Sequence, residues 1–397
     1  MAVNVTAWPT VELVGVAWME VVLASADTTE VRASRRATIH FFIASAIMSV
    51  WTRKSARSNG MARIALVHDV AGVAATQAEI LRRAGHEVDH LQMPQFGARW
   101  SWLAKALTLP IRLLLYLPVV LRLRWGRYDV IHIHWVPRGI VGLLAGKPFL
   151  IQAHGSDLHV ELNAPGVFRL NRRVLKRART IFYVTPNLEP FVQRYHDKLR
   201  YLPNPIDVSS ITATPTPPAR VRSIVIFMRL DPVKGVRFVF PAVRHLAASF
   251  EVTALAWGPL ADVLTRRYGD VVRFVPPVPH EEVGRFLEQF DLVVGQTAQG
   301  ALGLSELEAM AAGRPVITGI NRDLYAGDKP PVVGSYSADE LIEQIERLRD
   351  DSRRLENLSR EGRAWVRRNH GFERHLALLE RAYFGTPARD SEMPIAM

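Results

Sequence analysis

A chain of 397 residues, 48% hydrophobic and 22% charged, is long enough for two or three domains with cores of their own, which excludes fibrous, disulfide-stapled and wholly disordered organisation. It has no cysteine, so a thiolate nucleophile, an iron–sulfur cluster and a zinc finger are excluded, and any catalysis falls to oxygen, nitrogen and backbone groups. The formal net charge of +12 is no general nucleic-acid footprint: all but seven of the 50 basic residues are arginine, and the surplus gathers in residues 90–128, which hold six basic and no acidic groups.

In chain order, residues 11–26 are apolar but interrupted by Glu12 and Glu20 and follow no basic segment, a poor signal peptide despite Ala24-Ser25-Ala26. A second apolar run, 39–51, is about 13 residues against the roughly 20 that a bilayer demands. Residues 1–60 are expected to be an N-terminal extension or a mis-assigned start, with a membrane-touching arm as the other reading. At Met61 the character changes to an apolar run over 62–68, like the buried first strand of a parallel sheet. A turn at Gly72, a helix over 75–84, a stop at Gly85 and a strand over 86–91 complete one β-α-β unit. Strands over 128–134, 148–153 and 180–184 follow, with a basic helix over 167–179 between the last two.

Residues 207–220 carry Ser209, Ser210, Thr212, Thr214, Thr216, Pro215, Pro217 and Pro218, the composition of a linker. The same alternation then restarts, with strands over 223–228, 251–257, 271–275, 291–295 and 315–319, amphipathic helices over 338–350 and 354–368, and a closing helix over 375–384. The expected organisation is α/β, with Rossmann-like doubly wound domains at 61–206 and 222–374. A linker at 207–221 joins them, a closing helix at 375–385 crosses back over the first domain, and a tail follows at 386–397. The strand ends of both sheets then face a central cleft, where ligands of such sheets bind.

Several patterns carry chemistry. His86-Glu87-Val88-Asp89-His90 satisfies H-E-x-x-H, but that zinc motif needs a helix, and a strand separates its histidines by about 13 Å. His132 and His134 share a strand face and with His154 form either a cleft wall or, less readily, a metal triad. Arg229 and Lys234 follow directly on an apolar strand, where a guanidinium and an ammonium can hold a diphosphate; a surface turn with two solvated cations is the other reading. Gly300 to Ser305 form a glycine-containing loop ahead of a helix over 306–312, whose N-terminus suits a phosphate. Ser305 and Glu308 have the S-x-x-E spacing of a capping box, so Glu308 is either a cap or a ligand contact. Between 99 and 127, Trp100, Trp102, Tyr116 and Trp125 accompany Lys105, Arg112, Arg122 and Arg124 in a leucine-rich stretch broken by Pro110 and Pro118. That stretch reads as an amphipathic segment on an anionic membrane, joined by Arg169, Arg172, Arg173, Lys176 and Arg177, or as a helix pair packed on the first sheet.

Over nearly all of 61–384 these segments resemble the retaining nucleotide-sugar glycosyltransferases of the GT-B fold, family 4. Gly303-Leu304-Ser305-Glu306-Leu307-Glu308-Ala309-Met310-Ala311-Ala312-Gly313-Arg314-Pro315-Val316-Ile317 is similar to the family block G-L-P-x-x-E-A-M-A-C-G-x-P-V-I. Arg229 with Lys234-Gly235 resembles G-R-L-x-x-x-K-G, His154-Gly155-Ser156-Asp157 follows a strand, and Leu202 to Asp207 is like P-N-G-V-D. The resemblance implies that Glu308 holds the donor ribose, Arg229 and Lys234 bind the diphosphate, and His154 faces the transferred sugar. Gly72 then lets backbone approach the phosphates, and amides at Gly303 and Leu304 add donors. It further implies retention, with attack on the face that the diphosphate leaves, and no metal or other cofactor. Two positions depart from the family pattern: Gly300 stands where the first of two glutamates is expected, with Gln299 or Glu306 as partial substitutes, and Met228 stands in place of a glycine.

The expectation is therefore a metal-independent glycosyltransferase moving a sugar from a nucleotide diphosphate sugar to a glycan or lipid-linked acceptor, cytoplasmic and peripheral on the inner face of the plasma membrane. The rivals are a catalytically silent GT-B scaffold that binds nucleotide sugar and, far behind, a nucleic-acid binder, for which no recognised motif speaks.

Overall fold

The computed structural model describes residues 61–94, 108–162, 167–211, 215–325 and 327–385, apart from the side chains of Leu109, Arg112 and Val160. The expected extension at 1–60 and the tail at 386–397 lie outside them, as do Trp100, Trp102 and Lys105. Strands β1 (Arg63–Val67), β2 (Glu87–Leu91), β3 (Val130–His134), β4 (Leu150–Ala153), β5 (Ile181–Tyr183) and β6 (Leu199–Tyr201) form one parallel sheet, in the order β2-β1-β3-β4-β5-β6. A second parallel sheet holds β7 (Ser223–Ile226), β8 (Glu251–Leu255), β9 (Arg273–Val275), β10 (Leu292–Val294), β11 (Val316–Thr318) and β12 (Val333–Gly334), in the order β12-β11-β10-β7-β8-β9. This is the α/β architecture expected of the GT-B fold.

The continuous apolar runs exist because both faces of each central strand are covered. In β3 all five residues are buried, with Ile131 and Ile133 in a core on one face and Val130 in a core on the other. The second sheet is likewise held between two apolar layers, one around Ile224, Ile226 and Phe240 and one around Val225, Met310 and Trp365. Helix Val73–Arg83 buries Val73, Ala74, Ala78, Ile80 and Leu81. It starts at Gly72, whose φ of 77° suits glycine. Helix Phe372–Phe384 begins ahead of its expected start and packs Leu379 and Tyr383 against Ile64, Leu66 and Phe182 of the first half. The end of the chain thus closes over the first sheet.

Several expectations change. Residues 207–211 are not linker throughout: Val208–Ile211 is a short helix, and Ile206 and Val208 are buried in the core of the second half. Farther on, Pro215 packs beneath Gly313, and Arg314 donates to the Thr216 carbonyl, so this stretch lies against the second half. Pro118 lies inside one helix, Leu109–Trp125; the two edge strands β6 and β12 were not expected at all. Among the described residues no helix is long and apolar enough to cross a membrane. His90 lies in the strand Glu87–Leu91, with His86 just ahead of it, which disposes of the helical zinc motif.

Candidate active site in the interdomain cleft

Chain order reverses between β1 and β3 in the first sheet and between β7 and β10 in the second, so the crevice of each doubly wound sheet opens at those carboxyl ends. The residues just beyond them are unusual. His68 after β1 and Trp135 after β3 adopt left-handed φ values of 67° and 78°, a costly conformation that such sites often carry.

On the second half, Lys234 is the last residue of a tight turn whose Asp231 carboxylate accepts from Val233 N–H. Its Nζ donates to Oε1 of Gln296 at 2.7 Å. Burial lowers the ammonium below its ordinary value, while the Glu306 carboxylate pulls the other way. Arg229, about half exposed, pairs with Asp231 at 3.5 Å. Gln296 in turn donates to the Ala301 carbonyl at 2.7 Å, joining the lysine to the loop ahead of helix Leu304–Ala311. That helix begins two residues earlier than the Ser305 and Glu308 spacing implies. The capping carboxylate is Glu306, which accepts from Gly303 N–H at 2.8 Å and from Gln296 N–H at 2.7 Å. Ser305 and Glu308 therefore form no capping box. Nor does Glu306 stand in for the missing acid, since both its oxygens are engaged, and Gln299 spends its amide on the Val233 carbonyl. Gly300 itself has φ 68° with its carbonyl accepting from Asn321 N–H, and Met228 is buried in the core beneath the sheet.

Freed from capping, Glu308 is buried with a side chain only 11% exposed and contacts Nδ1 of His280 at 3.3 Å. Hydrogen bonding to Glu308 raises the His280 pKa above its ordinary value. Both residues line a cavity of about 360 Å³ together with Leu304, Ile206, Asp207 and, from the first half, Gly72. The structure thus brings Gly72, Leu304 and Glu308 to one cavity, while Arg229, Lys234, Gly303 and His154 lie outside its lining. Gly72 meets nothing within 4 Å of the position a Cβ would take.

The first half supplies the other wall. His154 follows β4, and the buried Asp157 pins its loop by accepting from His154 N–H and Gly155 N–H at 3.0 and 2.9 Å and from Val136 N–H at 3.1 Å. Desolvation pushes that carboxyl up to about 6. His154 Nε2 lies 3.0 Å from Nδ1 of His134. Two contacts tie the walls together: Asn187 donates to the Gln299 carbonyl at 3.2 Å, and His159 lies within electrostatic reach of Lys234, whose charge adds to burial in lowering the imidazole. Among the described residues no group of three acidic or histidine side chains could hold a metal ion, so the metal alternative for His132, His134 and His154 is not met.

The sequence matches the family described as Glycosyl transferase 4-like domain over residues 55–205 and that described as Glycosyl transferases group 1 over residues 221–351. The chain belongs to the group 1 glycosyltransferases. It is 25% identical over 301 residues to a D-inositol 3-phosphate glycosyltransferase of Pseudarthrobacter chlorophenolicus, covering 65% of this chain and 71% of that one. In fold it is similar to a sucrose-phosphate synthase of Thermosynechococcus elongatus, with a TM-score of 0.63 at 18% identity, over 81% of this chain and 98% of that one. It also resembles HepE of Anabaena, solved with UDP and glucose, with a TM-score of 0.61 at 14% identity over 82% and 100% of the two chains. The protein is a glycosyltransferase with a nucleotide-sugar donor.

In this glycosyltransferase two arginines of the basic stretch, Arg122 and Arg124, are exposed and make defined contacts. Arg122 pairs with Asp89 at 3.2 Å and donates to the Tyr128 hydroxyl, and Arg124 reaches the Ala145 carbonyl. Helix Leu109–Trp125 also exposes Ile111, Leu114, Leu117 and Trp125. Arg169, Arg172, Arg173, Lys176 and Arg177 of helix Phe168–Arg177 are all exposed. Four residues of the glycosyltransferase site were missed by sequence reasoning: Gln296, His280, His159 and Asn187. Only Gln296 carried a signal, its place just past the strand end at Gly295.

Proposed function

We propose that this glycosyltransferase retains anomeric configuration, moving a sugar from a nucleotide diphosphate sugar to a glycan or lipid-linked acceptor at the cytoplasmic membrane face, without a metal ion. The observation that carries the reading is the Lys234–Gln296 pair set against the N-terminus of helix Leu304–Ala311. An ammonium, the neighbouring guanidinium of Arg229 and free helix amides converge where negative charge develops on a departing diphosphate. They supply the charge that a divalent cation brings elsewhere. Glu308, with no capping duty, is the acceptor for ribose hydroxyls, the Gly72 loop approaches the phosphates, and His154 faces the transferred sugar. The bond from the anomeric carbon to the phosphate oxygen breaks as the acceptor oxygen bonds on the same face, and the acceptor proton passes to the departing phosphate oxygen.

The membrane side of the proposal rests on the exposed apolar face of helix Leu109–Trp125 and the basic face of helix Phe168–Arg177. Leucine and tryptophan enter the interface while arginine and lysine meet lipid phosphates. Inositol phosphate and glucose in the names of similar proteins suit a hexosyl transfer of this kind. Gly300, lacking the family's first carboxylate, favours a second reading in which the fold binds donor without turnover.

Transfer from UDP-, GDP-, ADP- and TDP-sugars should be assayed with membrane extracts as acceptor, with and without EDTA, the product anomer being read by NMR. The expected result is a product with the donor's anomeric configuration, at a rate that EDTA leaves unchanged. An inverted product or abolition by EDTA contradicts the proposal. Donor binding with no transfer to any acceptor supports the second reading.

A further inference from the structure

A column of buried imidazoles runs from the closing helix to the cleft, and the reaction described above uses only its last member. The Tyr383 hydroxyl meets Nδ1 of His132 at 2.7 Å. The His132 ring stacks on that of His134 with centroids 4.8 Å apart, and His134 stacks on His154 at 5.2 Å. His132 and His134 are fully buried. His134 Nδ1 and His154 Nε2, 3.0 Å apart, form a hydrogen bond whose direction follows from the tautomers.

We propose that His134 is a positioning residue, which donates its Nδ1 proton to Nε2 of His154 and so fixes His154 as the tautomer presenting an Nδ1–H donor to the cleft. Two arrangements of the shared proton compete. If His154 donated from Nε2, His134 would have to accept at Nδ1 and carry its own proton on Nε2. That nitrogen is buried and has no hydrogen-bond partner, so an N–H there would be a buried donor left unpaired, at the full desolvation cost. In the opposite arrangement His134 Nε2 is a bare ring nitrogen beside the stacked His132 ring, and a buried acceptor is left without a partner more readily than a buried N–H. His154 is then pinned at both ends, through its backbone by Asp157 and through its ring by His134.

Charge reinforces the tautomer. Burial lowers His132 and His154 to about 3 and His134 well below its ordinary value, and each imidazole opposes protonation of the next. The column stays neutral at neutral pH, so His154 is an oriented hydrogen-bond donor toward a sugar hydroxyl and carries no proton through the reaction. This rests on the reading that sets His154 opposite the transferred sugar.

The test uses the full chain labelled with 15N-histidine, in wild-type form and as His134→Asn and His134→Leu. Asparagine and leucine leave nearly the same space, but only asparagine keeps a nitrogen donor near the Nδ1 position. The expected wild-type spectrum shows His154 protonated on Nδ1, a state kept in His134→Asn and lost in His134→Leu. The expected kinetics are a kcat about ten-fold lower in His134→Leu with donor KM within about two-fold, and recovery of most of that loss in His134→Asn. A wild-type His154 protonated on Nε2, or an equal loss of kcat in both variants, overturns the inference. Should the chain transfer no sugar at all, the reading of function fails, while the spectrum still decides the tautomer.

Discussion

The two halves of the molecule share a topology but not an interior. Beneath the first sheet lie His68, His132, His134, Gln77 and Gln152, together with His375 from the closing helix, all buried. Among the described residues the second half buries one histidine against its core, His370 on Trp365, while Gln296, Glu306 and Thr318 are buried at or just past its strand ends. The difference teaches that the fold needs only two covered sheets. What fills the cover is open to other uses, and in the first half it has become a polar column leading to the cleft.

The sharpest way to break the comparison is acid. Burial lowers His132, His154 and His375 to about 3 and His68 to about 4 in or against the first sheet, and among the described residues of the second half it lowers His370 alone, to about 4, against an ordinary value of 6.5. Between those values the unfolded chain binds more protons than the folded one. Stability is therefore complete above about pH 6.5 and falls as the pH drops, by up to about 1.4 kcal/mol per pH unit for each histidine. Hydrogen exchange at pH 7.5 and 5.5 should show peptides of β1, β3 and β4 losing protection first while β7, β8 and β10 keep theirs. Equal loss in both sheets would mean that the histidines do not set the difference.

A smaller effect is expected at the seam that the closing helix makes with the first sheet. Tyr383→Ala removes a fully buried ring and should cost about 3–5 kcal/mol in urea unfolding. Tyr383→Phe keeps the packing and loses only the hydroxyl on His132, about 1 kcal/mol. A Tyr383→Phe loss as large as the alanine loss would show that the hydrogen bond, and not the packing, holds the helix down. In the second half, Glu306→Gln should cost about 1–3 kcal/mol, because one of two buried N–H groups loses its acceptor.

Much of this was legible in the sequence, for reasons that also mark the limit. Central strands announce themselves because they are buried on both faces, so the runs at 62–68 and 223–228 are unmistakable. The edge strands Leu199–Tyr201 and Val333–Gly334 are short and partly open, and pairing with a neighbour defines them more than composition does. The closing helix was readable as an amphipathic segment and its crossing was expected. Helix Leu304–Ala311 was found, but whether Glu308 caps it stayed open, since a spacing rule cannot tell Glu306 from Glu308 when Gly303 replaces the expected serine at the start. His280 was beyond reach in a different way: it acts on Glu308, a residue brought near only by the fold.

The central claim is that Lys234 and Glu308 belong to one nucleotide-sugar site in the cleft between the two sheets. Calorimetric titration of UDP, GDP, ADP and TDP into the wild-type chain, Lys234→Ala and Glu308→Ala tests it most directly. One nucleotide should bind the wild type selectively, and each substitution should weaken it by about ten-fold or more, the value expected for removing a charge-assisted contact. Binding that neither substitution weakens, or no binding of any nucleotide to the folded protein, would contradict the claim.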